Sequence, residues 1–419
     1  METAQELSGQ ESATKIGFED IKFLKKDSTI RGLFLGRYYF DISIALLEEK
    51  IGPVQVMSGE LVFQDVDENH AWKRFDPILA EGFRNLYHIN YNKPTVYIHR
   101  TSGIPLVGTN EFGLIDRGSN IIEVKPLTGC NFQCNYCSVD EGKNNKTHDY
   151  VVECEYLVEQ AAIIAKTKKH PVEFNIGPQG EPFLYPKLVE LVRGLHAIPN
   201  CAIISVNTNG SFLTERIIDE LQAAGLTRIN LSLNAVTQST ADVMSGRHYP
   251  LEKTLKMIKY CQGKIFVLLA PTVVPGQNDD QLEGLVQIGK TITSDFPVLG
   301  FQNFLQYKKG RNIAKERSFE AFFAMLKPLE EKYDINLTHF TKEDFHIHDE
   351  PELPKPFHKH DKIKVRVIMP ARYQNEIVAV AKDRCITLVG PGAHNIPIGK
   401  ELVVQIIRDK HNIFKAAVC

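Results

Sequence analysis

From residue 121 onward, short runs of β-branched and apolar residues alternate with stretches whose apolar positions recur every three to four residues. The runs fall at 121–126, 172–176, 202–207, 228–233, 264–270 and 298–306, and each predicts a strand. Between them lie helical patterns at about 147–167, 187–195, 214–224, 251–262, 280–290 and 318–332. Repeated strand-then-helix order requires parallel strands with right-handed crossovers, so the pattern predicts either a doubly wound sheet or an arc two units short of an eight-unit barrel. Residues 1–16 are polar and without period and predict a disordered tail. In the extension 17–120, Leu33–Ile44, Val54–Phe63 and Thr95–His99 read as strands and Phe75–Leu86 as a short helix. After Tyr333 the pattern breaks, and Pro351, Pro354 and Pro356 mark residues 334–360 as a linker. From 361 to 419, five short alternating segments with Pro391, Gly392 and Gly399 in the turns predict a small antiparallel barrel.

Composition narrows the setting. Of 419 residues, 43% are hydrophobic, as in ordinary globular chains, and no run approaches the ~18 apolar residues of a membrane span. The polar N-terminus lacks the apolar core of a signal peptide, so a cytoplasmic protein without membrane contact is expected. The formal net charge is -2, but from Lys359 to Cys419 there are eleven Lys and Arg against five Asp and Glu. A basic tail on an acidic body suits a polyanion partner, and equally a lysine-rich solvated surface. The four histidines at 346, 348, 358 and 360 lack an organising spacing and read as part of a polar connector rather than a metal site.

The chemistry concentrates after the first strand. Cys130, Cys134 and Cys137 are spaced C-x3-C-x2-C. Three thiolates within eight residues suit one face of a cubane iron-sulfur cluster whose fourth iron stays open, although zinc or plain electron-transfer sites also use such triplets. The remaining cysteines (Cys154, Cys201, Cys261, Cys385, Cys419) are scattered without a framework pattern, and Cys154, Cys201 and Cys261 read as buried apolar residues.

With the triplet at the end of the first strand of a repeating strand and helix array, the chain resembles the radical S-adenosylmethionine (SAM) superfamily, in the branch similar to the molybdenum-cofactor cyclase, over about 121–333. Later strand ends carry the same likeness. Gly177-Pro178-Gln179-Gly180-Glu181-Pro182 resembles the Gly-Gly-Glu-Pro turn, with Gln179 replacing a glycine. Ser205-Val206-Asn207-Thr208-Asn209-Gly210, Ser232-Leu233-Asn234 and Val273–Asp279 follow on successive strands, and Tyr136 matches an aromatic beside the last ligand. The resemblance implies an α/β fold built on a partial (β/α)6 TIM-type barrel, with an N-terminal α+β extension and the small C-terminal barrel. It implies one 4Fe-4S cluster on Cys130, Cys134 and Cys137, and SAM held by Tyr136, Gly180, Glu181, Pro182, Ser205, Asn207, Asn209, Ser232 and Asn234. Arg247, in the segment SGRHYP, is a further candidate for a carboxylate or phosphate. Residues 361–419 resemble a TRAM domain, a small RNA-binding barrel, and so imply an RNA substrate, tRNA or rRNA. An electron donor such as ferredoxin or flavodoxin is implied as well. Residues 1–129 hold no cysteine, which argues against the second cluster of methylthiotransferases, and Cys385 and Cys419 are too few for the cyclase's second triplet. A radical enzyme acting on a small molecule or peptide, and a cluster-bearing sensor without turnover, are the alternatives.

Overall fold

The computed structural model describes residues 13–141, 146–177 and 179–418; the tail up to residue 12, Pro178 of the glycine-containing turn and Cys419 lie outside them. The chain divides at Tyr97/Ile98, earlier than the sequence boundary at 120. In the N-terminal unit, Ala13–Ile16 is not a tail but a strand paired antiparallel with Glu60–Gln64. The run expected as one strand at 33–44 is a hairpin. Thr29–Phe34 and Tyr38–Ser43 pair antiparallel because Leu35 and Gly36 turn the chain at φ 52° and 64°, the geometry of a tight hairpin turn. The helix begins seven residues before the expected start, at Glu68, where the Asp67 carboxylate accepts from His70 N at 3.0 Å and caps the first turn.

The C-terminal unit holds a six-stranded sheet in the order Phe266–Leu269, Arg228–Leu231, Cys201–Thr208, Val172–Ile176, Ile121–Lys125, Gly113–Asp116. Five strands are parallel, as the alternation requires. Gly113–Asp116, assigned from sequence to the extension, adds an antiparallel edge. The expected strand at 298–306 shrinks to Gln302–Asn303, paired with Thr272–Val273. The helix Gln238–Ser245 had no counterpart in the periodicity.

The two faces of this sheet differ. Phe174, Ile176, Ile204, Val206, Ile229 and Leu231 are fully buried, one face of the strand alternation. The opposite face carries Glu173, Asn175, Ser205, Asn207, Arg228 and Asn230, whose side chains close a ring. Arg228 donates to Glu173 (2.6 Å) and Asn230 (3.0 Å), Asn230 to Asn207 (2.8 Å) and Asn207 to Asn175 (3.0 Å). Asn175 donates to Ser205 (2.7 Å), and the Ser205 hydroxyl returns to Glu173 (2.6 Å). Such a network is tolerable inside a protein because most of its groups satisfy one another; Arg228 Nη1 is buried without a hydrogen-bond partner.

The C-terminal barrel is closed, in the order Lys362–Pro370, Glu376–Ala381, Arg384–Val389, Lys415–Val418, Glu401–Arg408. It is not wholly antiparallel, since Arg384–Val389 and Lys415–Val418 run parallel. Residues 334–360 are not a free linker either. Glu350 Oε1 accepts from Lys169 N and His170 N, and the His348 ring stacks on His170 at 4.1 Å. The barrel holds the segment that leads into the sheet's edge strand: Cys385 N donates to Val107 O and Phe414 N to Gly108 O. A Cβ on Gly108 would lie 2.1 Å from Cys385 O, so only glycine permits that approach.

Candidate functional site

The strand Ile121–Lys125 delivers the chain into the cysteine loop at the carboxyl end of the parallel sheet, where such folds place their sites. Gly129, at φ 99°, starts the loop. It bridges to Gly180, and its carbonyl accepts from Glu181 N at 2.9 Å. A Cβ on Gly180 would fall 2.1 Å from that carbonyl, so this glycine is required for the contact between two loops. From the other side, Gln133 N and Asn135 N donate to Ser245 O and Met244 O, each at 3.0 Å. Arg311 is buried and clamps the loop with a 2.5 Å bond to Asp140 and further bonds to the carbonyls of Cys134 and Glu141.

The thiols sit among donors. Cys130 Sγ accepts from Phe132 N (3.4 Å), and Cys137 Sγ from Glu141 N (3.3 Å). Burial pushes the Cys130 thiol well up and Cys134 up to about 11, so thiolates here call for a cationic partner. Among the described residues no three His, Cys, Asp or Glu groups gather tightly enough for one metal ion. A cubane, by contrast, takes each thiolate on a different iron. Three free cysteines on a short loop with N–H donors aimed at sulfur fit that demand.

Beside Cys134 runs a narrow crevice, walled by Tyr136, Asn209, Ser232 and Asn234 and closed by Phe132 and Tyr249. Asn234 donates to the Tyr136 hydroxyl and accepts from Thr272 N at 2.8 Å. Asn278, fully buried in the Val273–Asp279 turn, donates to Asn234 O and accepts from Val274 N. Four of the sequence candidates thus meet in one wall.

The others lie elsewhere. Gly180 packs against the cysteine loop, and Pro182 is buried at the first position of the short turn Pro182–Leu184. Glu181 is buried and spends its carboxylate on Phe183 N, Thr208 Oγ1 and Asn209 N, and burial raises it to about 7. Ser205 and Asn207 belong to the polar ring on the sheet. Arg247 is on an exposed turn, tied through its backbone to Ser245, and does not line the crevice. Sequence reasoning missed Phe132, Met244, Ser245, Tyr249 and Arg311. Ser245 and Tyr249 flank Arg247 in the same segment, but apolar and small residues there carried no chemical signal.

Comparison with known proteins identifies similar chains. The Radical SAM superfamily model matches residues 124–288. A Methanocaldococcus jannaschii protein, MJ0103, itself described as uncharacterized, is 38% identical over 351 residues, covering 77% of this chain and 80% of that one. A GTP 3',8-cyclase of Listeria monocytogenes is 32% identical over 178 residues, covering 42% of this chain and 51% of the cyclase; the chain spans about half the length of the cyclases it matches. Among solved structures, TYW1 with a lysine-pyruvate adduct aligns at 20% identity and TM-score 0.38 over 54% of this chain and 77% of that one. Streptococcus suis SuiB bound to S-adenosylmethionine aligns at 12% identity and TM-score 0.41 over 76% and 71%. Among the described residues no helix is long and apolar enough to cross a membrane.

Proposed function

The chain belongs to the radical SAM superfamily, and from that premise we propose that it reductively cleaves SAM and uses the product to modify an RNA nucleotide. It is a radical SAM enzyme, with one 4Fe-4S cluster and SAM as cofactors. When bound, these would supply a carbon-centred radical able to take a hydrogen atom from the substrate, with the electron coming from a donor of the ferredoxin or flavodoxin kind.

The chain's own residues do the rest. Cys130, Cys134 and Cys137 would hold the cluster, with the N–H groups of Phe132 and Glu141 bonded to sulfur. Asn209, Ser232 and Asn234 offer polar groups to the nucleoside part of SAM, and Tyr136 an aromatic wall. Phe132, Met244 and Tyr249 exclude water from that wall. The observation that carries the reading is the convergence of the sulfur-directed donors and the Tyr136–Asn234 crevice on one loop.

The RNA target is supported by the closed barrel at 361–419 and its exposed Lys362, Arg366, Lys400 and Lys410, cations of the kind that neutralise phosphates. Likeness to GTP 3',8-cyclases favours a second reading, in which the substrate is a free nucleotide. The protein reconstituted anaerobically with iron and sulfide and reduced is expected to release 5'-deoxyadenosine; failure to do so sinks the enzyme class. Nucleoside mass spectrometry of RNA from cells with and without the gene is expected to differ by one modified nucleoside. Identical profiles would leave the free nucleotide.

A further inference from the structure

A cleft of about 460 Å³ separates the cysteine loop from the closed barrel. Its lining includes Ser138 and Val139, directly after Cys137, and Gln179 of the glycine-containing turn. Lys125, from the strand that leads into the cysteine loop, lines the cleft with Arg117, and so do Arg408 and Lys415 of the barrel. The loop 307–309 adds Lys308 and Lys309.

The lining carries more positive than negative charge. Arg117 and Lys125 share one carboxylate, Glu123, and Glu111 lines the cleft as well. Lys309 and Lys415 likewise share Glu376, Lys309 at 2.8 and 3.0 Å and Lys415 at 3.5 Å. Lys308 and Arg408 are exposed, and among the described residues no ion pair is recorded for either. Six lining cations against the three carboxylates Glu111, Glu123 and Glu376 leave a positive potential that water in a cleft screens less than at an open surface. Lys309 shows the strain: burial lowers its affinity for a proton, and Lys415 adds to the effect although Glu376 opposes it. The Tyr373 ring lies 3.3 Å beneath the Lys309 ammonium and lines the cleft, a flat apolar surface next to the cations.

We propose that this cleft binds a phosphate-bearing substrate, held by Lys308, Lys309, Arg408 and Lys415 and seated beside Tyr373, with its reacting part turned toward Ser138 and Val139. The assignment rests on the reading that the radical is generated at the cysteine loop. The same phosphate chemistry is offered by an RNA phosphodiester and by a free nucleotide, and the closed barrel is then one wall of the substrate site.

The test uses the reconstituted full-length protein and two probes, a short fluorescent mixed-sequence RNA read by anisotropy and GTP as an unlabelled competitor. The double variant Lys308→Glu with Arg408→Glu changes two exposed side chains and is checked for unaltered thermal melting and iron content. A control variant, Lys290→Glu with Lys327→Glu, makes the same charge change at exposed positions outside the cleft. The cleft variant is expected to weaken at least one probe by on the order of tenfold or more, with the log Kd against log salt slope reduced by about two, while the control changes little. Equal losses in both variants, no loss in the cleft variant, or a wild-type protein that binds neither probe would overturn the assignment. Loss of GTP binding with no RNA nucleoside altered in cells keeps the cleft and removes the RNA target. An altered nucleoside with binding indifferent to the cleft variant does the reverse.

Discussion

The two largest sheets of the C-terminal unit have opposite interiors. The closed barrel is filled by Phe357, Val365, Val367, Ile377, Ile386, Leu388, Val404, Ile406 and Phe414, each at most 3% exposed; it is a packed apolar solid. The six-stranded sheet turns Glu173, Asn175, Ser205, Asn207, Arg228 and Asn230 to the face away from its buried apolar residues. Its strand ends carry the cysteine loop and the crevice. A sheet that closes on an apolar core supplies stability and outer surface, whereas one that stays open keeps polar groups that must pair with each other or with a ligand. Chemistry and stability should therefore separate in the variants.

The largest effect is expected at the cysteines. Cys130→Ala, Cys134→Ala or Cys137→Ala should abolish iron binding at the cluster and 5'-deoxyadenosine release with little change in the thermal transition of the iron-free protein; a variant that retains the cluster's visible absorption would show that the thiol is not a ligand. Phe414→Ala should act conversely. Removing a fully buried ring from the barrel core is expected to cost about 3–5 kcal/mol in denaturant unfolding, and a loss below about 1 kcal/mol would mean the barrel interior is not the packed solid described. On the sheet, Arg228→Met leaves the Glu173 carboxylate buried without its cation (side chains 5% and 4% exposed) and is expected to cost roughly 3–5 kcal/mol. Adding Glu173→Leu should recover part of that loss. Additive losses in this double-mutant cycle would show that the two groups do not act as a pair.

The smallest effect is one of pH. Glu181 is held by burial at about 7, above its ordinary value of 4.5, so the native state takes up its proton more readily than the unfolded chain. The stabilisation is complete below about pH 4.5 and is lost as pH rises through 7, by roughly 3 kcal/mol. Urea midpoints at pH 5 and pH 7 should differ more in the wild type than in Glu181→Gln, and equal differences in the two proteins would place the titration elsewhere.

Much of the site was legible because chemistry demands residue types at fixed spacing. The C-x3-C-x2-C triplet, Tyr136, Ser232 and Asn234 are recognisable wherever the fold puts them, and periodicity located the five parallel strands and all five strands of the closed barrel. Arg372 shows the limit of the same approach. It adds to the basic count of the C-terminal segment, yet it is fully buried, 2.5 Å from Glu141 and 3.1 Å from Asp149, so it contributes nothing to the surface charge that a polyanion would meet. Glu181 and Ser205 matched the motif but turned their side chains to internal partners.

By itself, then, the amino-acid sequence determined the cysteine loop, the strand and helix order and the closed barrel, since these depend on local spacing and on the alternation of apolar residues. Tertiary structure alone decided which candidates meet in the crevice, which cations remain in the cleft, and that the barrel stands beside the cysteine loop. These depend on bringing together residues as far apart in the chain as Lys125 and Lys415. No local pattern encodes such distances; only the packing of one sheet against the other fixes them.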